Sequence, residues 1–155
     1  MEDKLIKEIL NSAKTIAMIG VSSVKKEVSS NIKRRPSIIV MKYLQEFGYH
    51  VIPVNPFSVG KKINGETIIA KLEDITIPVD IVDVFRPSIE APKLAEKAVK
   101  IKAKALWLQY GIQNKQAQEI AKSANISYIE NKCIKQEYQK LFLKISPVFP
   151  ALKTN

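Results

Sequence analysis

The chain has 155 residues, 46% of them apolar, which suits a single domain built around one core. Its one cysteine excludes an intramolecular disulfide, and one histidine with one cysteine is too few for a structural zinc site. The formal net charge of +10 favours anionic partners such as phosphates, and no apolar stretch is long enough to span a bilayer.

The first third of the chain predicts a helix, a buried strand and a second helix. Residues 3–12 place apolar side chains at helical spacing, and their charges interrupt any signal-peptide core, so we expect a cytoplasmic protein. Residues 15–20 form a short apolar run that ends in a glycine, which is typical of a buried strand and a tight turn. After a polar loop, Pro36 opens a helix that Gly48 ends.

Strands and helices alternate through the rest of the chain. Apolar runs predict strands at 50–54, 67–69, 79–85, 105–108 and 127–130, with helices over 88–102 and after a cap at Asn114. The alternation predicts an α/β fold with a doubly wound, mainly parallel, Rossmann-like sheet of strand order 3-2-1-4-5-6. The predicted organisation is an N-terminal helix (1–14), the Rossmann-like domain (15–142) and a C-terminal tail (143–155).

The predicted strand order places a switch point between the first strand, 15–20, and the fourth, 79–85. Folds of this kind bind ligands at such a point, outside the carboxyl ends of the strands. The loop after Gly20 and the following helix start offer free N–H groups and three hydroxyls, which favour a phosphate. The hydroxyls belong to Ser22, Ser23 and Ser37, and the nearby cations are Lys25, Lys26, Lys33, Arg34, Arg35 and Lys42.

The familiar nucleotide fingerprints are missing from this loop. Gly20 is its only glycine, so the G-x-G-x-x-G pattern fails, and no Gly-Lys-Ser/Thr sequence occurs. The end of the second strand carries Asn55 where NAD sites tend to place an acid on the ribose, and Lys61 and Lys62 follow. This arrangement suits an extra phosphate on the ribose, which both coenzyme A and NADP carry.

Catalytic and metal-binding constellations are not predicted. His50 and Trp107 are interpreted as structural residues. Asp83 lies inside a central strand and needs a partner there, for which Arg86 or a helix cap is predicted. Cys133 is interpreted as a buried, inert thiol, with a mixed disulfide to the thiol of bound coenzyme A as a further hypothesis.

Seven segments, in their order and spacing, resemble the CoA-binding domain family of the small stand-alone type. The fold that this resemblance implies is similar to the CoA-binding domain of succinyl-CoA ligase alpha subunits. The loop between Gly20 and Pro36 is longer than is usual for the family, and the catalytic domains of the ligase have no counterpart. The segments are 19–22, 35–37 with 43–44, 51–56, Gly65, 82–86, 105–111 and 131–135, within a resemblance that runs from 15 to 142.

The resemblance implies a coenzyme A site in three parts. It implies that the diphosphate lies against Gly20, Ser22, Ser23, Arg35, Pro36 and Ser37. It places the adenosine part against Val54, Asn55, Pro56, Lys61 and Lys62. It assigns the pantetheine side to Phe85, Arg86, Gln109 and the turn at Gly111.

The predicted function is binding of coenzyme A or an acyl-CoA without catalysis of its own. One alternative is an NADP-linked or acyl-CoA-dependent enzyme, against which no convincing acid–base pair is found. The second is a nucleic-acid-binding protein, suggested by the net charge alone. Because the aromatic residues fall mostly on predicted core faces, they do not form a stacking platform for bases.

Overall fold

The computed structural model describes residues 2–21 and 36–144, which form an α/β domain. The helices are α1 (Glu2–Ser12), α2 (Pro36–Glu46), α3 (Ala91–Lys100), α4 (Lys115–Ser123) and α5 (Ile134–Tyr138). The strands are β1 (Thr15–Ile19), β2 (His50–Val54), β3 (Lys62–Ile63), β4 (Glu66–Thr67), β5 (Ile81–Val84), β6 (Ala105–Leu108) and β7 (Ser127–Ile129). Short 3₁₀ turns occupy 72–74 and 88–90, and a π-helical turn follows α5 at 139–143.

The main sheet has five strands in the order β2-β1-β5-β6-β7, and every neighbouring pair is parallel. The chain moves outward from β1 to β2, then returns to place β5 on the other side of β1. The α/β, doubly wound, Rossmann-like prediction is therefore confirmed. The switch point lies between β1 and β5, so the carboxyl ends of these two strands position the site.

The predicted third strand, and with it the six-strand order 3-2-1-4-5-6, is wrong in detail. Residues 66–67 pair antiparallel with 62–63 in a small hairpin, whose turn places Asn64 and Gly65 at positive φ. Ile69 then forms only an isolated parallel bridge with Val54 at the outer edge of β2. Residues 66–67 already pair with β3, and a 3₁₀ turn begins at residue 72. The chain between them is too short to form a full edge strand.

Two apolar layers cover the sheet. On one face α3 and α4 pack through alanines, which allow a close helix approach to β5 and β6. On the other face α1, α2 and α5 cover Trp107, which is fully buried and whose Nε1 donates to the Lys132 carbonyl oxygen at 2.8 Å. The structural role predicted for Trp107 is thus confirmed, since this side chain belongs to the core. Within the described ranges, no helix combines the length and apolar character needed to cross a membrane.

The helix starts on the α3/α4 face differ slightly from their predictions. Asn114 caps α4 as predicted, because its Oδ1 accepts the Ala117 N–H at 2.8 Å. Ser88 does not cap an α-helix. It opens a 3₁₀ turn, and its hydroxyl donates to the Gln113 carbonyl oxygen, while α3 begins at Ala91 with Pro92 in its first turn. Proline fits that turn because the first N–H groups of a helix need no partner within it.

Candidate functional site

The carboxyl ends of three strands are fastened together at the switch point. The Gly20 N–H donates to the Val54 carbonyl oxygen at 3.0 Å, and the Phe85 N–H donates to the Ile19 carbonyl oxygen at 2.9 Å. Gly20 adopts a φ of +100°, and a Cβ at this position would lie 2.9 Å from the Phe85 carbonyl oxygen. The exits of β1 and β5 therefore meet, and only glycine fits between them.

A cleft of about 580 Å³ opens beside this junction, between the end of β2 and helix α3. Its floor is apolar, and two large apolar side chains stand at its mouth, with Phe57 88% exposed and Ile89 85% exposed. Such a cleft, apolar with a few polar groups, is the usual form of a small-molecule site. The apolar floor comes from Ile19, Val54, Leu72 and Leu94.

Cations outnumber acids along the wall of the cleft. Among the described residues, the cations that line it are Lys71, Arg86, Lys93 and Lys97, against one acid, Glu90. Lys97 also lies 3.7 Å from the carboxylate of Glu73, outside the cleft lining. Lys71 and Lys93 form no ion pair with any acid of the described residues, so their charges are available to an anion.

Of the cleft cations in the described part of the chain, Arg86 is the one held in a two-pronged ion pair. Its Nε and Nη2 donate to the two carboxylate oxygens of Glu90 at 3.0 and 2.7 Å. The hydrogen bond and the opposite charge raise the pKa of Arg86 and lower the pKa of Glu90. The aliphatic part of the same side chain lies beside Gly20, where a Cβ would be 3.0 Å from the Arg86 Cδ.

Asn55 connects the exits of β1 and β2. Its Nδ2 donates to the Val21 carbonyl oxygen at 2.9 Å, and its Oδ1 accepts the Phe57 N–H at 2.8 Å. An ionised aspartate could accept the second bond but could not donate the first. These two hydrogen bonds explain why Asn55 stands where NAD sites tend to place an acid. Asn55 also lines the cleft.

A second polar cluster lies at the carboxyl ends of β5 and β6, on the face covered by α2 and α5. Asp83 is fully buried, and Gln109, 5% exposed, donates through Nε2 to one of its carboxylate oxygens. The other oxygen, Oδ2, has no hydrogen-bond partner within the described part of the chain. Burial raises the pKa of Asp83 to about 8, although the bond from Gln109 lowers it. The predicted pairing of Asp83 with Arg86 is wrong, because Arg86 pairs with Glu90 instead.

Cys133 adjoins this cluster at the start of α5. The Ile134 N–H donates to Gln109 Oε1 at 3.4 Å, so Gln109 bridges β5 and α5. Burial raises the pKa of the Cys133 thiol, and the nearby charge of Asp83 raises it further. Backbone hydrogen bonds from Gln136 and Lys135 act in the opposite direction.

The structure brings five of the predicted site residues into the cleft and leaves others elsewhere. Lys61 and Lys62 are exposed at and beside the small hairpin and do not line the cleft. Ser37 is buried in the first turn of α2, while Phe85, Gln109 and Gly111 follow β5 and β6. Ser22, Ser23, Arg35 and most of the basic cluster lie outside the described residues, as does the side chain of Pro36. The five are Gly20, Val54, Asn55, Pro56 and Arg86.

Sequence reasoning missed the residues that α3 and the segment before it contribute to the cleft. Ile89, Lys93 and Lys97 are spaced four apart, so they lie along one side of the helix that follows the switch-point strand. That spacing, placed directly after β5, is a sequence signal that could have identified them. Lys71 comes from the irregular chain after Ile69, where no periodic pattern points to it.

Comparison with known proteins finds similar sequences and similar folds. A family model described as the CoA binding domain matches residues 14–139. The protein YneT of Bacillus subtilis is 36% identical over 130 residues, which cover 84% of this chain and 89% of YneT. A solved structure from Thermus thermophilus is 34% identical, with a TM-score of 0.81. The match covers 92% of this chain and 100% of the Thermus chain. One from Pyrococcus horikoshii is also 34% identical, with a TM-score of 0.80 and coverage of 91% and 92%.

Proposed function

Because this chain belongs to the CoA-binding domain family, we propose that it holds coenzyme A or an acyl-CoA at its switch point, without catalysis of its own. The observation that carries this proposal is the basic, apolar-floored cleft that opens where β1 and β5 meet. Coenzyme A combines an apolar adenine ring, a diphosphate and a third phosphate, so it needs an apolar slot surrounded by cations. The cleft has that combination.

The adenosine part of the ligand is assigned to the cleft. The adenine ring lies against the floor, between Val54 of β2 and Leu94 of α3, and Ile89 covers one side of the mouth. Asn55 and Pro56 border the ribose, in agreement with the roles that the family resemblance implies. Burying a flat aromatic ring between aliphatic side chains is favourable by about 25 cal/mol for each Å² removed from water.

The three phosphates are assigned to two places. The diphosphate passes Gly20, which lines the cleft, and lies before the N-terminus of α2 with Ser37 in its first turn. The 3′-phosphate is assigned to Lys71 and Lys93, since these two cleft lysines form no ion pair among the described residues. The pantetheine arm then follows the ends of β5 and β6, past Phe85 and towards Gln109 and Gly111.

Two pairs of lysines give a matched test of the 3′-phosphate assignment. Removing Lys71 and Lys93 together should weaken coenzyme A binding at least tenfold, because charge-assisted hydrogen bonds contribute about 1.5–3 kcal/mol each. Removing Lys61 and Lys62 changes the net charge equally but should weaken binding less than threefold, because neither lines the cleft. Isothermal titration calorimetry of both double alanine variants measures the difference.

The ligand series for this test is coenzyme A, dephospho-CoA and NADP. The parent protein should prefer coenzyme A to dephospho-CoA, and the Lys71/Lys93 variant should lose that preference. If the Lys61/Lys62 variant lost as much coenzyme A affinity as the Lys71/Lys93 variant, or more, the 3′-phosphate would bind Lys61 and Lys62 instead. Tighter binding of NADP than of coenzyme A would contradict the proposed ligand itself.

A further inference from the structure

In the cluster of Asp83, Gln109 and Cys133, only Gln109 is used by the binding scheme above. A fully buried carboxylate with one unpartnered oxygen is costly, since burial strongly disfavours its charged form. The other oxygen is held by Gln109, which also receives the Ile134 N–H. These hydrogen bonds through Gln109 connect the carboxyl of Asp83 to the start of α5, where the only cysteine of the chain, Cys133, is the N-cap residue.

The cluster lies on the path assigned to the pantetheine arm. Asp83 is one residue from the end of β5, and Gln109 directly follows β6, so both lie at the carboxyl edge of the sheet. The cleft opens on the α3 face, whereas Cys133 packs on the α2/α5 face. A ligand with its adenosine in the cleft and its diphosphate at Gly20 crosses this edge, and its thiol end arrives on the side of Cys133.

We propose that Cys133 is a site of covalent attachment for the ligand, which forms by thiol–disulfide exchange with a disulfide of coenzyme A. This inference rests on the proposed function, because it requires docking of the nucleotide part. Asp83 is the proton acceptor for the thiol, and Gln109 orients its carboxylate. The product is a mixed disulfide between Cys133 and coenzyme A.

The exchange balances without any further oxidant. Cys133 Sγ attacks one sulfur of the coenzyme A disulfide, a new S–S bond forms, and the original S–S bond breaks. The thiol proton passes to the free oxygen of Asp83 and from there to the departing coenzyme A thiolate. One disulfide is consumed and one is formed, so the number of electrons does not change.

Intact-protein mass spectrometry of the whole chain tests the attachment. After incubation with coenzyme A disulfide, the parent should gain the mass of one coenzyme A moiety, which dithiothreitol removes. The single cysteine makes the assignment unambiguous, and Cys133→Ser should gain nothing. Pantethine and oxidised glutathione carry disulfides without the nucleotide, and they should react at least tenfold more slowly at equal concentration.

The role of Asp83 is tested by the pH profile of the reaction. The charged groups that act on the Cys133 thiol are Asp83 of β5, which raises its pKa, and Lys135 of α5, which lowers it. The parent rate should rise as Asp83 ionises near pH 8, whereas Asp83→Asn should react at least tenfold more slowly there. The variant should approach the parent rate only at higher pH, where the thiol ionises unaided. Equal rates at every pH would remove Asp83 from the scheme.

Calorimetry separates this inference from the proposed function. Cys133→Ser should bind reduced coenzyme A within twofold of the parent, because the thiol contributes to attachment and not to docking. Binding of coenzyme A without any adduct overturns the attachment alone. Absence of coenzyme A binding by the parent overturns the proposed function, whatever the thiol does. An adduct that forms equally fast with glutathione shows a merely accessible cysteine and also overturns the inference.

Discussion

Gly20→Ala is expected to abolish measurable coenzyme A binding and to destabilise the fold. A Cβ at this position would lie 2.9 Å from the Phe85 carbonyl oxygen and 3.0 Å from the Arg86 Cδ. A φ of +100° is itself unfavourable for alanine, and residues forced into such regions cost about 1–3 kcal/mol each. The exits of β1 and β5 must separate to admit the methyl group, which opens the junction where the diphosphate is proposed to lie.

Gly48→Ala is the matched control for this substitution. Gly48 has nearly the same φ, +97°, but a Cβ there would meet nothing within 4 Å. Denaturant unfolding should therefore show a loss of stability in both variants and a larger loss for Gly20→Ala. Calorimetry should show unchanged coenzyme A affinity for Gly48→Ala. A folded Gly20→Ala protein with parental affinity would show that the junction takes no part in binding.

Asp83→Asn is expected to make the protein more stable above neutral pH and to flatten its pH dependence. Burial raises the pKa of Asp83 to about 8, so the folded protein keeps a proton that the unfolded chain has released. The unfolded chain thus binds fewer protons, and stability falls as pH rises from about 4 towards 8. One such proton changes the free energy of unfolding by about 1.4 kcal/mol for each pH unit.

Urea unfolding of both proteins at pH 5.5 and pH 7.5 measures this effect. The stability of the variant relative to the parent should increase between the two pH values by about 2–3 kcal/mol, from that slope. Asparagine retains an acceptor oxygen for Gln109, so the variant is expected to fold. A relative stability that is the same at both pH values would show that Asp83 ionises alike in the folded and unfolded chains.

The sheet and its switch point could be predicted because their signals are local. Short apolar runs marked the strands at 15–20, 50–54 and 105–108, and the alternation with helices left few topologies. The third strand could not be predicted, since residues 67–69 have the same apolar character whether they pair in a sheet or follow a hairpin. The choice depends on the Asn64–Gly65 turn, which draws 66–67 towards β3.

The site could be predicted in part, for a related reason. Gly20 ends the first predicted strand, and Asn55 and Arg86 immediately follow two others, so the topology alone places them together. Lys93 and Lys71 enter the cleft through the packing of α3 and the path after Ile69, which depend on tertiary structure. The partner of Asp83, Gln109, is 26 residues away and becomes its neighbour only when β5 pairs with β6.

Site-resolved NMR during a titration with coenzyme A shows where on the protein the ligand binds. Binding at the switch point predicts saturable shifts of the backbone amides of Gly20, Asn55 and Leu94, with small shifts at the far edge near Lys104. The groove between α3 and α4, lined by Val99, Ile120 and Ser123, should also remain unchanged. Shifts centred on that groove, or no shifts at millimolar coenzyme A, would contradict binding at the switch point.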